Sequence, residues 1–538
     1  MIRSTRSWSN VRRVLMTAGT VVATAAQAQS SLLARADSAF AAEDRSLARH
    51  LYEQVLKANP EQSRASFRLA QLQSSPAKAI PYYARYVSLE PSDPWGHMAL
   101  GDQLARSGKV DAALASYDRA HELAPNERDV AIGRARIQSR AGRSIDARQT
   151  LAMWTRAHPA DGEAWDLLGR EQLRSGRPRA AALSFENARR ASAPRGVDAR
   201  LRLARSQSAT AFQPIVGYQH DSDGNSTVRV GLSADAMVAD GVRLAGGVAR
   251  GSIRDDFESM PFNEATLALQ SRPTADVRLS AEAGFTAFSG AMPQAGWTEP
   301  RADVRLRWRR LPNEPALELR AQHLALGSAP LLVENHVARS DIRATLELPV
   351  GALRLRGSGK AGVITGTGDS SSRGLGRGGP ITPPGLGSGG AMTARAERAN
   401  RRLDGAGAIV LPLGAGSEVS ARYQAVTYAR ESSAGYFAPR VAETMEGTAY
   451  LDLGGDGPLS ITADLGAGMQ RTALQGESVG RWKAAFRAWT YSSLTLGPGR
   501  SFWLEVEAYD APFAPLGVAA APSWRYVALT TGLHWTVR

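Results

Sequence analysis

Gly108, Gly142 and Gly176 stand at equal intervals of 34 residues, and Ala113, Ala147 and Ala181 keep the same interval, as do Pro125 and Pro159. A period of this length means a stacked array of small units, none of which buries its apolar face alone. Small residues at the Gly and Ala positions let two antiparallel helices approach closely. Aromatic residues fill the gaps between them, and Pro ends the second helix. Two more divergent units precede the regular ones, marked by Ala48, Tyr52 and Pro60 and by Ala79, Tyr83 and Pro91.

The first regular unit places Leu100, Gly101, Leu104, Gly108, Ala113, Tyr117, Ala120 and Pro125. It resembles the tetratricopeptide repeat at every signature position except the first Trp, which is His97. A later unit restores that residue, with Trp165, Leu168, Gly169, Gly176, Ala181, Phe185 and Ala188. About five repeats are expected over 29–194, closed by a helix at 195–209, so that 29–209 forms an α-solenoid. Arg106, Arg140 and Arg174 share one position of the first helix, and Arg136 and Arg170 share another. These five are candidates for a groove that docks an acidic protein or polyanion. In an Arg-rich chain the same pattern also describes a solvated face.

The start of the chain reads as an export signal. Arg3, Arg6, Arg12 and Arg13 precede a short apolar run from Val14 to Ala25, and Ala26-Gln27-Ala28 is a small-x-small cleavage site. The run is too short to span a membrane as a helix. No Cys follows the site, so lipid attachment there is excluded, and Arg12-Arg13 is a poor twin-arginine match. Residues 1–28 are therefore expected to direct general export from a bacterial cytoplasm. The net charge of +14 rests almost wholly on Arg and is weak evidence for any partner. The absence of Cys excludes disulfides and Cys-held metals.

Beyond residue 209 the apolar period changes to two. Val228, Val230 and Leu232 alternate with Arg229, Gly231 and Ser233. Val304, Leu306 and Trp308 alternate with Arg305, Arg307 and Arg309, and Phe502, Leu504 and Val506 with Trp503, Glu505 and Glu507. One face is apolar and the other charged over segments of about ten residues, the pattern of a transmembrane barrel. Tight turns are read at 239–241, 272–275, 311–315, 349–352, 413–416, 454–458 and 497–500. Longer links are read between them at 253–262, 289–298, 367–395, 473–480 and 511–522. This alternation predicts an antiparallel transmembrane β-barrel of about sixteen strands over 210–538, with both of its ends periplasmic. A soluble sandwich needs neither the loop alternation nor inward faces so rich in Arg. Trp297, Trp308, Tyr423, Tyr428, Trp482, Trp489, Tyr491, Trp524 and Trp535 fall near strand ends, where an aromatic girdle is expected. The Gly-, Ser- and Pro-rich stretch 367–395 reads as a disordered outer loop, with a lid over the pore as the sharper alternative.

Motifs for catalysis fail on their context. "RGSGKAGV" (356–363) imitates a phosphate loop but lacks its first Gly and its Ser/Thr, and it alternates like a strand. "GESVG" (476–480) lies in an expected loop rather than at a strand-to-helix elbow. The eight His show no metal-ligand spacing. "DSDGN" (221–225) imitates a calcium loop, yet Ala234 stands where the bidentate Glu belongs, so a tight turn with Gly224 at positive φ is expected. A weak cation-bridging role for Asp221 and Asp223 is the alternative. No catalytic residue, metal site, cofactor or nucleic-acid partner is expected, and the chain is not expected to be an enzyme.

Export signal, helical repeats and C-terminal barrel occur together in an order that resembles the outer-membrane exopolysaccharide export porins of the cellulose-export and poly-N-acetylglucosamine type. The resemblance implies an outer-membrane barrel conducting a polysaccharide. It also implies periplasmic repeats that dock the polymer or a periplasmic or inner-membrane biosynthesis protein. On this reading Arg229, Arg243, Arg278, Arg305, Arg307, Arg309, Arg354 and Arg356 face the pore, with Glu282, Glu318, Glu505 and Glu507 offsetting them. The rivals are a surface-lipoprotein or protein translocator of the repeat-plus-barrel type and a closed-barrel receptor or scaffold.

Overall fold

The computed structural model describes residues 31–537 apart from 192–194, 290–295, 310–313, 369–394, 397–398, 415, 433, 455–456 and 511–524. The expected export signal, most of the Gly-rich stretch 367–395, the link 511–522, Trp524 and Arg538 therefore lie outside the described residues.

Helices come first, in pairs: α1 (31–41) and α2 (Arg45–Ala58), α3 (Ser63–Gln71) and α4 (Pro76–Leu89), α5 (Pro94–Arg106) and α6 (Val110–Leu123), α7 (Arg128–Arg140) and α8 (Ser144–Ala157), α9 (Gly162–Arg174) and α10 (Pro178–Arg190). A single helix, α11 (Val197–Ser208), follows. The three spaced glycines each take a left-handed φ, +76°, +73° and +71°, directly after the first helix of a pair, where an L side chain would be strained. The spaced alanines and aromatics are the core. Ala113, Ala147 and Ala181 are fully buried, and so are Phe185 and Tyr52. Tyr117 is buried on α6 and donates its hydroxyl to Asp102 at 2.6 Å, which satisfies the one polar atom that its burial brings in.

The chain divides into two compact units. One holds the residues up to Glu171 together with Asn187–Arg195, and the other holds Gln172–Glu186 together with Gly196–Arg538. Within the second unit the Asp240 carboxylate accepts from the N–H groups of Arg179 and Ala180 at 3.1 and 3.2 Å, capping the first turn of α10.

Sixteen strands then form a closed antiparallel barrel. They are β1 (Thr210–Asp221), β2 (Ser226–Ala239), β3 (Val242–Arg254), β4 (Ser259–Ser271), β5 (Val277–Phe288), β6 (Trp297–Arg309), β7 (Ala316–Ala325), β8 (Ala338–Val350), β9 (Leu353–Thr365), β10 (Asn400–Gly414), β11 (Ser417–Tyr428), β12 (Val441–Asp452), β13 (Leu459–Ala473), β14 (Lys483–Gly497), β15 (Arg500–Tyr509) and β16 (Tyr526–Val537). Each pairs with its sequence neighbour, and β1 closes the seam on β16, running from Thr210 opposite Val537 to Asp221 opposite Tyr526. Short turns gather at one end of the barrel and most of the longer connections at the other. The link expected at 253–262 is tighter than that: strands β3 and β4 run on until only 255–258 remains, with Asp255 accepting from the N–H groups of Phe257 and Glu258.

Truncating Tyr117 to Ala is expected to cost about 3–5 kcal/mol, and Tyr117→Phe about 1 kcal/mol. Thermal melts of the full chain followed by the helical signal at 222 nm check the order.

Candidate functional site

Register fixes which side chains share a face, because paired residues in an antiparallel ladder point the same way. Val230, Leu232, Val248, Leu267, Ile342, Leu403 and Ile409 are large, apolar and exposed on the outer face. Their neighbours in sequence line the lumen. Arg278 pairs with Arg307 and Ser280 with Arg305 across β5 and β6, and Arg307 then pairs with Glu318 on β7. By the same ladder Arg229, Arg243, Arg309, Arg354, Arg356 and Glu282 point inward on β2, β3, β6, β9 and β5, and Glu505 and Glu507 on β15. A closed sheet with an apolar outside and a charged inside is a membrane-spanning barrel.

Most inward cations are paired. Arg229 and Arg301 meet Glu264 at 2.8 and 3.4 Å, and Arg301 also reaches Glu282 at 3.0 Å. Glu347 gathers Arg309 at 2.5 Å, Arg356 at 2.9 Å and Arg354 at 3.5 Å, while Arg305 stands 3.9 Å from Glu318. Arg243 pairs with Asp235. Arg278 and Arg307 have no carboxylate within ion-pairing distance among the described residues. Glu505 and Glu507 do not offset the arginines as expected. They stand on β15, eight strands round from β7, and neither has a cationic partner among the described residues.

Sequence reasoning misses a cluster of buried charges inside the barrel. Arg339, Asp341, Lys360, Arg402 and Asp404, on β8, β9 and β10, each expose under a tenth of their side chains. Lys360 meets Asp404 at 3.3 Å and Asp341 at 3.8 Å, Arg402 meets Asp404 at 2.8 Å, and Arg339 meets Asp341 at 2.9 Å. Lys360 is the Lys of the imitation phosphate loop, now placed on a strand. The cover over this cluster comes from two connections that look unremarkable in sequence. In 326–337, which carries the short helix α12 (Pro330–Glu334), Val333 packs on Ile253, Met260, Phe262 and Phe288 of β3–β5. Leu332 and Val337 of the same connection pack with Ile364 of β9 and Val426 and Tyr428 of β11, together with Ala434, Tyr436 and Ala438 of the connection 429–440. Asn335 donates to the Ala434 carbonyl at 3.1 Å, joining the two connections. Leu326, Gly327 and Ser328 of the first connection line, together with Arg339, Asp341, Lys360, Arg402 and Asp404, a cavity of about 620 Å³ inside the barrel.

The expected aromatic girdle is only partly there. Trp308, Tyr423 and Trp535 are exposed on the outer face. Trp297, Tyr428, Trp489 and Tyr491 point inward instead. Position near a strand end does not decide facing; parity does, and Trp489 and Tyr491 share parity with Arg487. Trp482 lies in the β13–β14 connection under the Arg471 guanidinium, 4.6 Å from its ring centre. At the β1–β2 turn the Asp221 carboxylate accepts from the N–H groups of Asp223 and Asn225 at 3.0 Å each, and Gly224 has a φ of +88°. Both N–H groups meet Oδ1, and the Asn225 side-chain amide reaches Oδ1 and Oδ2 at 3.2 and 3.1 Å, as a tight turn requires.

In the first unit Arg106, Arg136, Arg140 and Arg170 are all exposed, but they do not form a uniformly basic ladder. Arg136 pairs with Glu163 at 2.5 Å and Arg170 with Asp166 at 2.6 Å, while Arg128 bridges Asp161 and Glu163. Arg106 and Arg140 end α5 and α7, where a cation complements the helix dipole, and Arg174 ends α9 in the same way in the second unit. The groove beside Trp154, Asp161 and Glu163, about 940 Å³, is thus of mixed charge. Burial opposes ionisation of Asp161. Arg128, the Ala164 N–H and the Trp154 indole N–H outweigh it and hold the carboxyl below the usual carboxylate range.

The chain is a membrane-spanning β-barrel preceded by helical repeats. Residues 104–171 match one model of the tetratricopeptide repeat, and residues 33–94 and 167–207 match another. No curated protein gives a match. Among solved structures, the crystal structure of MamA protein is 19% identical over 30% of this chain and 91% of that one, with a TM-score of 0.30. YrrB, described as a TPR protein with an unusual peptide-binding site, is 15% identical over 32% and 88%, with a TM-score of 0.29. A bacterial polysaccharide outer membrane secretin is 8% identical over 62% of this chain and 99% of that one, with a TM-score of 0.41.

Asp404→Asn leaves Lys360 and Arg402 short of a counter-charge and is expected to destabilise the barrel by about 3–5 kcal/mol, read as a lower temperature for loss of heat-modified gel mobility. Because the folded pKa of Asp161 is depressed, its stabilisation is complete above the unfolded value of about 3.9 and fades as pH falls through the folded one. The stability gap between the native chain and Asp161→Asn should therefore hold from pH 7 to 5 and shrink below about pH 4, measured by helical melts.

Proposed function

We propose that this chain is an outer-membrane porin through which a secreted polysaccharide leaves the cell. Its tetratricopeptide repeats sit in the periplasm and dock the polymer or a periplasmic or inner-membrane biosynthesis protein. The observation that carries the reading is the closed sixteen-strand barrel whose interior is lined by charged and polar side chains around a cavity. A hydrated interior of this kind serves passage of polar solutes, and helical repeats serve capture of a partner. Conduction is passive: the chain is not an enzyme and needs no cofactor, and the polymer is driven from the synthesis side. Arg305, Arg307 and Arg309, inward on one strand, bias the pore toward anions.

Deleting the gene should abolish the secreted polysaccharide while its synthesis continues, with polymer accumulating in the periplasm. Secretion at the normal level would overturn the reading. Replacing Arg305, Arg307 and Arg309 with Gln should shift the reversal potential of the purified barrel in planar bilayers away from anion preference. A closed receptor barrel is the second reading, favoured by the two connections packed across the loop end. Excision of 329–335 separates them: the porin reading expects conductance to rise several-fold, and a permanently sealed barrel expects no change.

A further inference from the structure

We infer that the lumen carries a saccharide-binding track on β14–β16, in which Trp489, Tyr491 and Trp503, edged by Glu505 and Glu507, hold the rings of an uncharged polysaccharide chain. The inference rests on the polymer-path reading above and names the wall that the polymer would touch.

Three inward aromatic rings form the track. Trp489 and Tyr491 are 6.5 Å apart between ring centres and within 13° of parallel, and Tyr491 and Trp503 are 6.0 Å apart and within 24°. Trp503 lies against the backbone of β16 at Gly532, where even a Cβ would come within 2.9 Å of the indole. The missing side chain lets the indole lie close to the wall, and all three rings remain half-buried rather than covered. They face the lumen, so contact with lipid does not account for them.

The edges of the rings are acidic. Glu507 sits directly across from Trp489 and Glu505 across from Tyr491. Glu505 accepts from the Trp489 indole N–H at 2.5 Å and keeps further lone pairs, and Glu507 has no hydrogen-bond or ion-pair partner among the described residues. A pyranose ring offers a face of C–H groups bordered by hydroxyl donors. Aromatic faces and acceptor-only carboxylates match those two features. With no cation paired to Glu505 or Glu507, an anionic chain meets like charge from both carboxylates. The cations that would attract it line the arc opposite, β5–β9.

Isothermal titration of the detergent-solubilised full-length chain tests the track, with hexaoses of glucose, N-acetylglucosamine and galacturonate as probes. The two uncharged hexaoses should bind more tightly than galacturonate. Trp503→Ala combined with Tyr491→Ala should weaken them about tenfold or more, the cost of removing aromatic anchors. Trp503→Leu and Glu507→Gln, which keep bulk, should each weaken them several-fold, and the outward Trp535→Ala should leave affinity unchanged. Unaltered affinity in the folded Trp503→Leu and Glu507→Gln variants overturns the track. So does tighter binding of galacturonate, or no binding of either uncharged hexaose to the native chain. The export reading fails separately, on the secretion phenotype: normal secretion after gene deletion with these affinity losses intact leaves the track as the site of a receptor.

Discussion

The seam between β1 and β16 is the constraint on which the rest depends. Until the last strand finds the first, each presents a row of unpaired N–H and C=O groups, which no hydrocarbon environment can satisfy. Once the seam closes, a sequence period of two becomes an inside and an outside. The same closure explains why so many charges are tolerated. Arg, Asp and Glu on alternate positions are costly in lipid, but in a ring of sixteen strands they meet one another across neighbouring strands and a polar interior.

Charge inside the ring is segregated as well as paired. Strands β5–β9 carry most of the arginines, and β12–β16 carry Glu446, Asp464, Glu505 and Glu507 against Arg487. Such an arrangement sets a field across the lumen, strongest where low-dielectric walls focus it. Polar solutes can align with a transverse field, and apolar ones gain nothing from it.

Legibility in the sequence followed the range of the interaction. The interval between Gly108, Gly142 and Gly176 exposes the helix pairs because each unit repeats the same local packing. The inward facing of Arg305, Arg307 and Arg309 is written in their alternation with Val304, Leu306 and Trp308. What escapes is set by register between segments far apart in sequence. Arg309 finds Glu347 two strands away, and Lys360 finds Asp404 only because β9 pairs antiparallel with β10 despite the long stretch of sequence between them. The apolar residues of 326–337 likewise show no period, since their seats lie on two separate arcs. Tyr428 and Trp489 mislead for a simpler reason: both lie near strand ends, but parity turns both inward.

A hollow cylinder of sixteen strands resists stretching well and flattening poorly, because bending a sheet breaks few hydrogen bonds. The connection 326–337 changes that mechanics. Val333 is seated on β3–β5, while Leu332 and Val337 are seated with β9 and β11, so one short segment ties two arcs of the same rim. It acts as a spoke. Close-packed apolar contacts transmit strain with little give, so squeezing the rim from the side loads the spoke before it deforms the wall. The loop end should therefore keep a rounder cross-section than the turn end, and removing the spoke would soften the shape of the rim as well as clear its opening.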